Sequence, residues 1–175
     1  MKTKILYIFL FAFLFVSCEE MEFEENPRSE VSREPIFNTE DGLQTYANSF
    51  YDILPSVSDI TLGDGMSDYL ARDNRPLYLS NSYGPNQSSG WDWSDLRNVN
   101  YFIKNNTSNK VDADVRRHYT GLARFFRAMF YFDKVKQFGD VPWIGRVPDI
   151  DDDEILYGER DPRTLVMDSV LADLD

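Results

Sequence analysis

Cysteine and histidine are nearly missing from this chain. The one cysteine, Cys18, has no partner for an internal disulfide, and together with the one histidine, His118, it is too little for a Cys/His zinc site. On paper the two could form a catalytic dyad, but the position of Cys18 offers another explanation. No Gly-x-Ser-x-Gly elbow, phosphate-binding loop or dinucleotide fingerprint occurs. Basic residues are also scarce: 18 Lys and Arg against 30 Asp and Glu leave a formal charge of −12. A chain this acidic is repelled by phosphate backbones, so nucleic acid is not an expected partner. No cofactor and no metal site is expected either. The run Asp149-Ile150-Asp151-Asp152-Asp153-Glu154 starts like a calcium loop, but Glu154 stands where such a loop needs glycine and Arg160 where it needs glutamate. It reads as a solvated acidic loop.

What is abundant is aromatic surface. Among 175 residues there are 13 Phe, 10 Tyr and 3 Trp, enough either to fill a core or to build stacking platforms. The length fits one domain, and 42% hydrophobic with 27% charged residues places the chain among globular proteins.

The first residues read as an address. Lys2 and Lys4 precede an unbroken apolar run from Ile5 to Val16. Its twelve residues fall short of the ~20 needed to span a bilayer but match the apolar core of a signal peptide. Phe15-Val16-Ser17-Cys18 then resembles a lipobox, although Phe15 departs from the usual Leu. On that reading residues 1–17 are a lipoprotein signal peptide and Cys18 is the acylated first residue of the mature chain. Several acyl chains give stable anchoring, because each buried methylene adds ~0.8 kcal/mol. Glu19, Glu20, Glu22, Glu24 and Glu25 follow, and this acidic run resembles the signal that sends some bacterial lipoproteins to the outer face of the cell. Residues 18–35 carry Pro27 and Pro35 and little periodicity, so they are expected to be a lipidated acidic linker.

Beyond the linker the periodicity is helical. Leu43, Tyr46, Ala47, Phe50 and Leu54 share one face of a helix over 40–54, capped by Asn38 or Thr39 and stopped by Pro55. Residues 55–90 are rich in Gly, Pro, Asn and Ser and read as mostly irregular, with a short helical piece near 66–71. A second helix is expected over 91–105, with Leu96, Val99, Asn100 and Ile103 on one face. The third, over 113–138, is the strongest and is apolar nearly all round, which implies packing on several sides. Gly139 and Pro142 end it. A fourth starts near Thr164 and is expected to bury Leu165, Val166, Val170, Leu171 and Leu174.

The stretch Gly121-Leu122-Ala123-Arg124-Phe125-Phe126-Arg127-Ala128-Met129-Phe130-Tyr131-Phe132, continuing to Phe138-Gly139-Asp140-Val141-Pro142, resembles the signature of the SusD/RagB family. Trp93 with Leu96 to Ile103, and Asp161 to Leu174, resemble two further segments of that family; Leu122 departs from it, standing where an acidic residue is common. The resemblance covers most of residues 36–175. It implies an all-α, tetratricopeptide-like helical scaffold with long irregular loops. It also implies that the chain is truncated, the N-terminal part of a longer SusD-like domain. The function it implies is binding of an oligosaccharide or polysaccharide at the cell surface. The implied partner is a SusC-like TonB-dependent transporter in the outer membrane, to which the lipid anchor holds the protein, and no enzymatic activity is expected.

Sugar sites pair an exposed ring face with polar side chains that bond hydroxyls. Trp91, Trp93 and Tyr83 are the candidate rings, and Asp68, Arg72, Asp73, Asn74, Arg75 and Asn98 the candidate polar partners. The competing reading places both tryptophans in the core. Arg124, Arg127, Asp133 and Asp140 read as ion-pairing groups that fix the third helix and the turn after it, rather than as ligand contacts. Two rivals to the binding module stay open. One is a helical-repeat lipoprotein that docks the transporter without holding ligand. The other is a secreted glycosidase, since carboxylates are plentiful and their separation is not visible in sequence.

Overall fold

The computed structural model describes residues 33–62 and 84–175. Regular structure in these residues is helical: α1 (Arg33–Phe37), α2 (Glu40–Asn48), α3 (Val57–Leu62), α4 (Ser94–Asn105), α5 (Ala113–Phe138), α6 (Asp153–Tyr157) and α7 (Arg163–Leu174). Short 3₁₀ turns lie at Ser49–Ile53 and Pro85–Gln87. Among the described residues the β structure is one isolated bridge between Val141 and Asp161. No helix among them is long and apolar enough to cross a membrane. The signal peptide over 1–17, Cys18 and the helical piece near 66–71 lie outside the described residues. The linker expected over 18–35 meets helix at its end, because α1 begins at Arg33.

Helix starts follow side-chain chemistry. The Thr39 hydroxyl accepts the Gly42 N–H at 3.1 Å and starts α2. The Asp112 carboxylate accepts the Asp114 N–H at 2.7 Å and starts α5. The expected single helix over 40–54 is α2 followed by the 3₁₀ turn. Tightening to three residues per turn rotates the face. Phe50 is therefore fully buried, while Leu54, expected beside it, is exposed. Helix α3 falls in a stretch expected to be irregular. Its start is a capping arrangement: the Ser56 hydroxyl donates to Asp59 Oδ2 at 2.6 Å, and the Asp59 N–H donates to Ser56 Oγ at 3.2 Å. The expected helix over 91–105 begins three residues late, at Ser94, because the Asp92 carboxylate takes the Ser94 N–H at 2.9 Å and Trp93 is not helical. Helix α5 has the expected bounds.

Two groups of buried side chains hold these helices together. In the first, Phe37, Leu43 and Phe50 meet Val99, Phe102 and Phe126, joining α1 and α2 to α4 and the middle of α5. In the second, Leu96, Phe130, Tyr131 and Val141 meet Val166 and Val170 of α7. Each fully buried side chain of this size contributes ~1.5–3 kcal/mol. Helix α7 packs along α5, but it buries less than its sequence suggests. Val166 and Val170 are buried, whereas Leu165, Leu171 and Leu174 are exposed, which corrects the expected buried side. The reason is angular. With 3.6 residues per turn, positions 166, 170 and 173 form one row, and Asp173 rather than a leucine completes it.

Asp173 lies in that row because Arg127 faces it. The guanidinium gives two hydrogen bonds to the carboxylate, Nε to Oδ2 and Nη2 to Oδ1, both at 2.6 Å. The side chains are only 9% and 6% exposed, so this is a buried, bidentate pair. Removing one partner strands the other charge. Asp173→Ala is expected to cost about 3–5 kcal/mol in urea denaturation, against about 0.5 kcal/mol or less for the exposed control Asp133→Ala.

A half-buried tyrosine, Tyr46, and a fully buried one, Tyr131, set an alkaline limit. Burial, helped by Tyr101, pushes the Tyr46 hydroxyl from an ordinary value near 10 up to about 12. Burial also pushes Tyr131 up. In the unfolded chain both ionise near their ordinary value, while in the folded chain they stay neutral. Their stabilising effect is whole below that ordinary value and is lost as pH rises through the folded one. Thermal midpoints are therefore expected to fall as pH climbs from 10 to 12, and less steeply in Tyr46→Phe.

Candidate functional site

Between the start of α4 and the segment that follows α5 lies a pocket of about 720 Å³. Its volume falls within the range of small-molecule sites. One wall is Trp91, Trp93, Leu96 and Arg97, and the other comes from residues 142–160, including Ile144, Arg146 and Arg160.

The second wall is an excursion of the chain closed at its base. Gly139 leaves α5 with φ +75°, a left-handed turn that glycine makes without strain. Asp140 then accepts the Arg163 N–H at 2.9 Å, and Asp161 accepts the Trp143 N–H at 2.7 Å. With the 141–161 bridge, these bonds tie both ends of the excursion together. Its inner edge is held by Tyr131, whose hydroxyl donates to Pro142 O at 3.2 Å and accepts the Ile144 N–H at 2.6 Å. Asn100, buried on α4, donates to Ile144 O at 2.7 Å and to Arg146 O at 3.2 Å. Within the excursion Arg146 pairs with Asp152 at 2.5 Å, so the acidic loop over 149–154 carries an internal cation. Among the described residues, no group of three or more His, Cys, Asp or Glu is arranged to hold a metal ion.

The first wall is aromatic. The rings of Trp91 and Trp93 meet edge-on at 5.1 Å, and Trp91 meets Phe138 edge-on at 4.9 Å. Trp93 also packs toward Phe130 at 5.7 Å and Tyr131 at 6.1 Å. The two tryptophans differ: Trp93 is half-buried on the second core group, whereas Trp91 keeps 44% of its surface exposed. The loop before them is gripped from α5. Lys134 donates to Gly90 O at 2.5 Å and Gln137 to Ser89 O at 2.8 Å. Gly90 has φ +86°, a conformation that favours glycine, and a Cβ there would come within 3.1 Å of the Gln137 amide, which would have to shift slightly. The Lys134 ammonium also sits 4.8 Å from the Phe130 ring centre and 5.7 Å from that of Trp93. Partial burial pushes its pKa down, against the pull of Asp92, Asp95 and Asp133.

The sequence candidates divide. Trp91 and Trp93 share the pocket wall. Asn98 lies on α4 but outside the pocket: its amide donates to Ser49 Oγ at 2.9 Å and its carbonyl accepts the Tyr46 hydroxyl, so it serves the contact with α2. Tyr83, Asp68, Arg72, Asp73, Asn74 and Arg75 lie outside the described residues. The charged residues of α5 and of the turn after it form ion pairs and anchors. Arg127 is buried against Asp173, Arg124 approaches the same carboxylate at 3.9 Å, Asp133 pairs with Lys136 at 3.0 Å, and Asp140 anchors the start of α7.

Sequence reasoning missed Arg97, Arg146 and Arg160 on the pocket wall. A signal existed for two of them, because Arg146 and Arg160 are the only basic residues between Gly139 and Pro162 in an otherwise acidic stretch.

No family model matches the chain, no curated protein matches it, and no solved structure matches it.

If the lysine grip holds the loop, Lys134→Ala should free Trp91. Tryptophan emission is expected to shift red and acrylamide quenching to rise, with far-UV circular dichroism unchanged. Unchanged emission would show that Gln137 and ring packing suffice.

Proposed function

We propose that this chain is the glycan-binding part of a lipid-anchored surface protein of the SusD/RagB kind, working beside a TonB-dependent transporter in oligosaccharide uptake. The observation that carries the reading is the Trp91–Trp93 wall on a pocket of about 720 Å³ with arginines among its lining residues. A half-exposed indole offers an apolar face to the C–H groups of a pyranose, and guanidinium groups donate to its oxygens. The packing of α4 on α5 and of α5 on α7 supports a tetratricopeptide-like scaffold, in which successive helices each bury a face against the next. The signal-like start and Cys18 support an outer-membrane anchor.

A binder fits better than a hydrolase. A glycosidase needs one carboxyl raised far enough to act as an acid at neutral pH. Of the two carboxylates lining the pocket, Asp92 and Asp149, Asp92 is pushed down instead, chiefly by the hydrogen bonds it accepts from Ser94.

The test is binding of the detergent-solubilised full chain to a glycan panel, followed by tryptophan fluorescence and calorimetry. Saturable binding is expected. Replacing Trp91 and Trp93 together with Ala should abolish it while helicity, read by circular dichroism, persists. Full binding by the double variant would sink the proposal.

A further inference from the structure

The cations of the pocket are unusual for this chain. Overall, acids outnumber bases 30 to 18, yet the pocket lining carries three arginines, Arg97, Arg146 and Arg160, against two acids, Asp92 and Asp149. All three cations are arginine, the residue whose planar fork matches a carboxylate with two parallel hydrogen bonds.

Their present engagements differ. Arg146 is held by Asp152 at 2.5 Å. Arg160 lies with its guanidinium carbon 4.6 Å from the Trp91 ring centre. Among the described residues neither Arg97 nor Arg160 has a carboxylate within ion-pair distance, so their donors are free for a ligand. Of the two acids, Asp92 is occupied in accepting the Ser94 N–H. The wall thus joins an exposed indole, a guanidinium layered on that indole and a second guanidinium from α4.

We infer that this pocket selects acidic saccharides, taking a uronic-acid unit with its ring beside Trp91 and its carboxylate between Arg97 and Arg160. The inference rests on the glycan-binding reading and narrows it. A neutral sugar offers both guanidiniums only uncharged oxygens as acceptors. A uronate gives them a charged acceptor that a guanidinium fork meets with two parallel hydrogen bonds. The acidic remainder of the chain repels such a ligand at long range. Added salt screens the long-range repulsion, but it also weakens the short-range pair, which dominates once the sugar is bound.

The experiment is calorimetric titration of the full chain with three probes of equal length: an oligogalacturonate, its methyl ester and a neutral galactose oligomer, with a sulfated galactose oligomer as a fourth. The oligogalacturonate is expected to bind at least about tenfold more tightly than its ester or the neutral oligomer. Arg97→Gln and Arg160→Gln should each remove about tenfold of that preference. Both side chains are exposed, so these variants should keep the fold, and their affinity for the neutral oligomer should fall far less than that for the uronate. Tighter binding of the sulfated oligomer than of the uronate would overturn the carboxylate assignment. Equal binding of uronate, ester and neutral oligomer would overturn the inference and leave the glycan reading standing. Failure of every oligomer to bind would overturn both.

Discussion

One buried guanidinium sets the arrangement of the chain. Arg127 could not be taken out of water alone, since an isolated buried charge is far too costly. Its four bonds therefore fix three parts of the structure. Nε and Nη2 hold Asp173 on α7, Nη1 reaches Asn100 on α4 at 2.9 Å and Gly145 O at 3.0 Å, and the guanidinium lies 5.5 Å from the Trp143 ring centre. Helices α4 and α7 and the excursion after α5 thus share one anchoring side chain. Apolar packing alone would tolerate small slides of α7 along α5. A bidentate pair with fixed geometry does not.

The pocket inherits its shape from that anchor. Asn100 accepts from Arg127 with its amide oxygen and uses its amide nitrogen to hold the carbonyls of Ile144 and Arg146. A single side chain therefore relates the charged core to the pocket wall. Tyr131 acts beside it from the same helix as Arg127, receiving the Ile144 N–H. The excursion is long and holds only the five-residue helix α6, so these inward bonds and the closure at its base are what hold it. On the opposite wall α5 acts again, through Lys134 and Gln137 on the loop before Trp91. Both walls are positioned from α5, which explains why a helix with little direct share in the pocket carries so much of the sequence pattern.

That helix also shows where sequence reading worked and where it could not. Its bounds were legible because Asp112 and Gly139 are strong local signals, and its length leaves many residues to average over. Its faces were less legible. Periodicity assumes aromatics inside and charge outside, yet Phe125 and Phe132 are about half exposed while Arg127 is buried. That Arg127 pairs rather than meets ligand was readable from its place on an aromatic helix, but its partner, Asp173, is 46 residues away and carries no local signal. The same distance hid the true buried row of α7, where three leucines looked better than an aspartate. Short elements failed for another reason: α3 depends on the Ser56–Asp59 cap rather than on any apolar stripe.

The candidate site was half legible for a related cause. Trp91 and Trp93 stand out because exposed indoles beside a glycine-rich loop are conspicuous in any sequence. Two arginines in an acidic, aperiodic stretch are a fainter signal, and their meaning depends on how the chain returns to α4. Asn98 illustrates the converse error. Its residue type suited a sugar contact, but α4 turns it toward Ser49 and gives the inward-facing place to Asn100, two positions on and about 200° round the helix. Residue type proposes a role, and helical phase decides which of two asparagines receives it. Here the phase buries Asn100 in the pocket lining, where its amide holds the second wall, and leaves the indole of Trp91 and the guanidiniums of Arg97 and Arg160 exposed beside it. An indole face and a guanidinium fork together ask for a ligand that is apolar on one side and anionic at an edge.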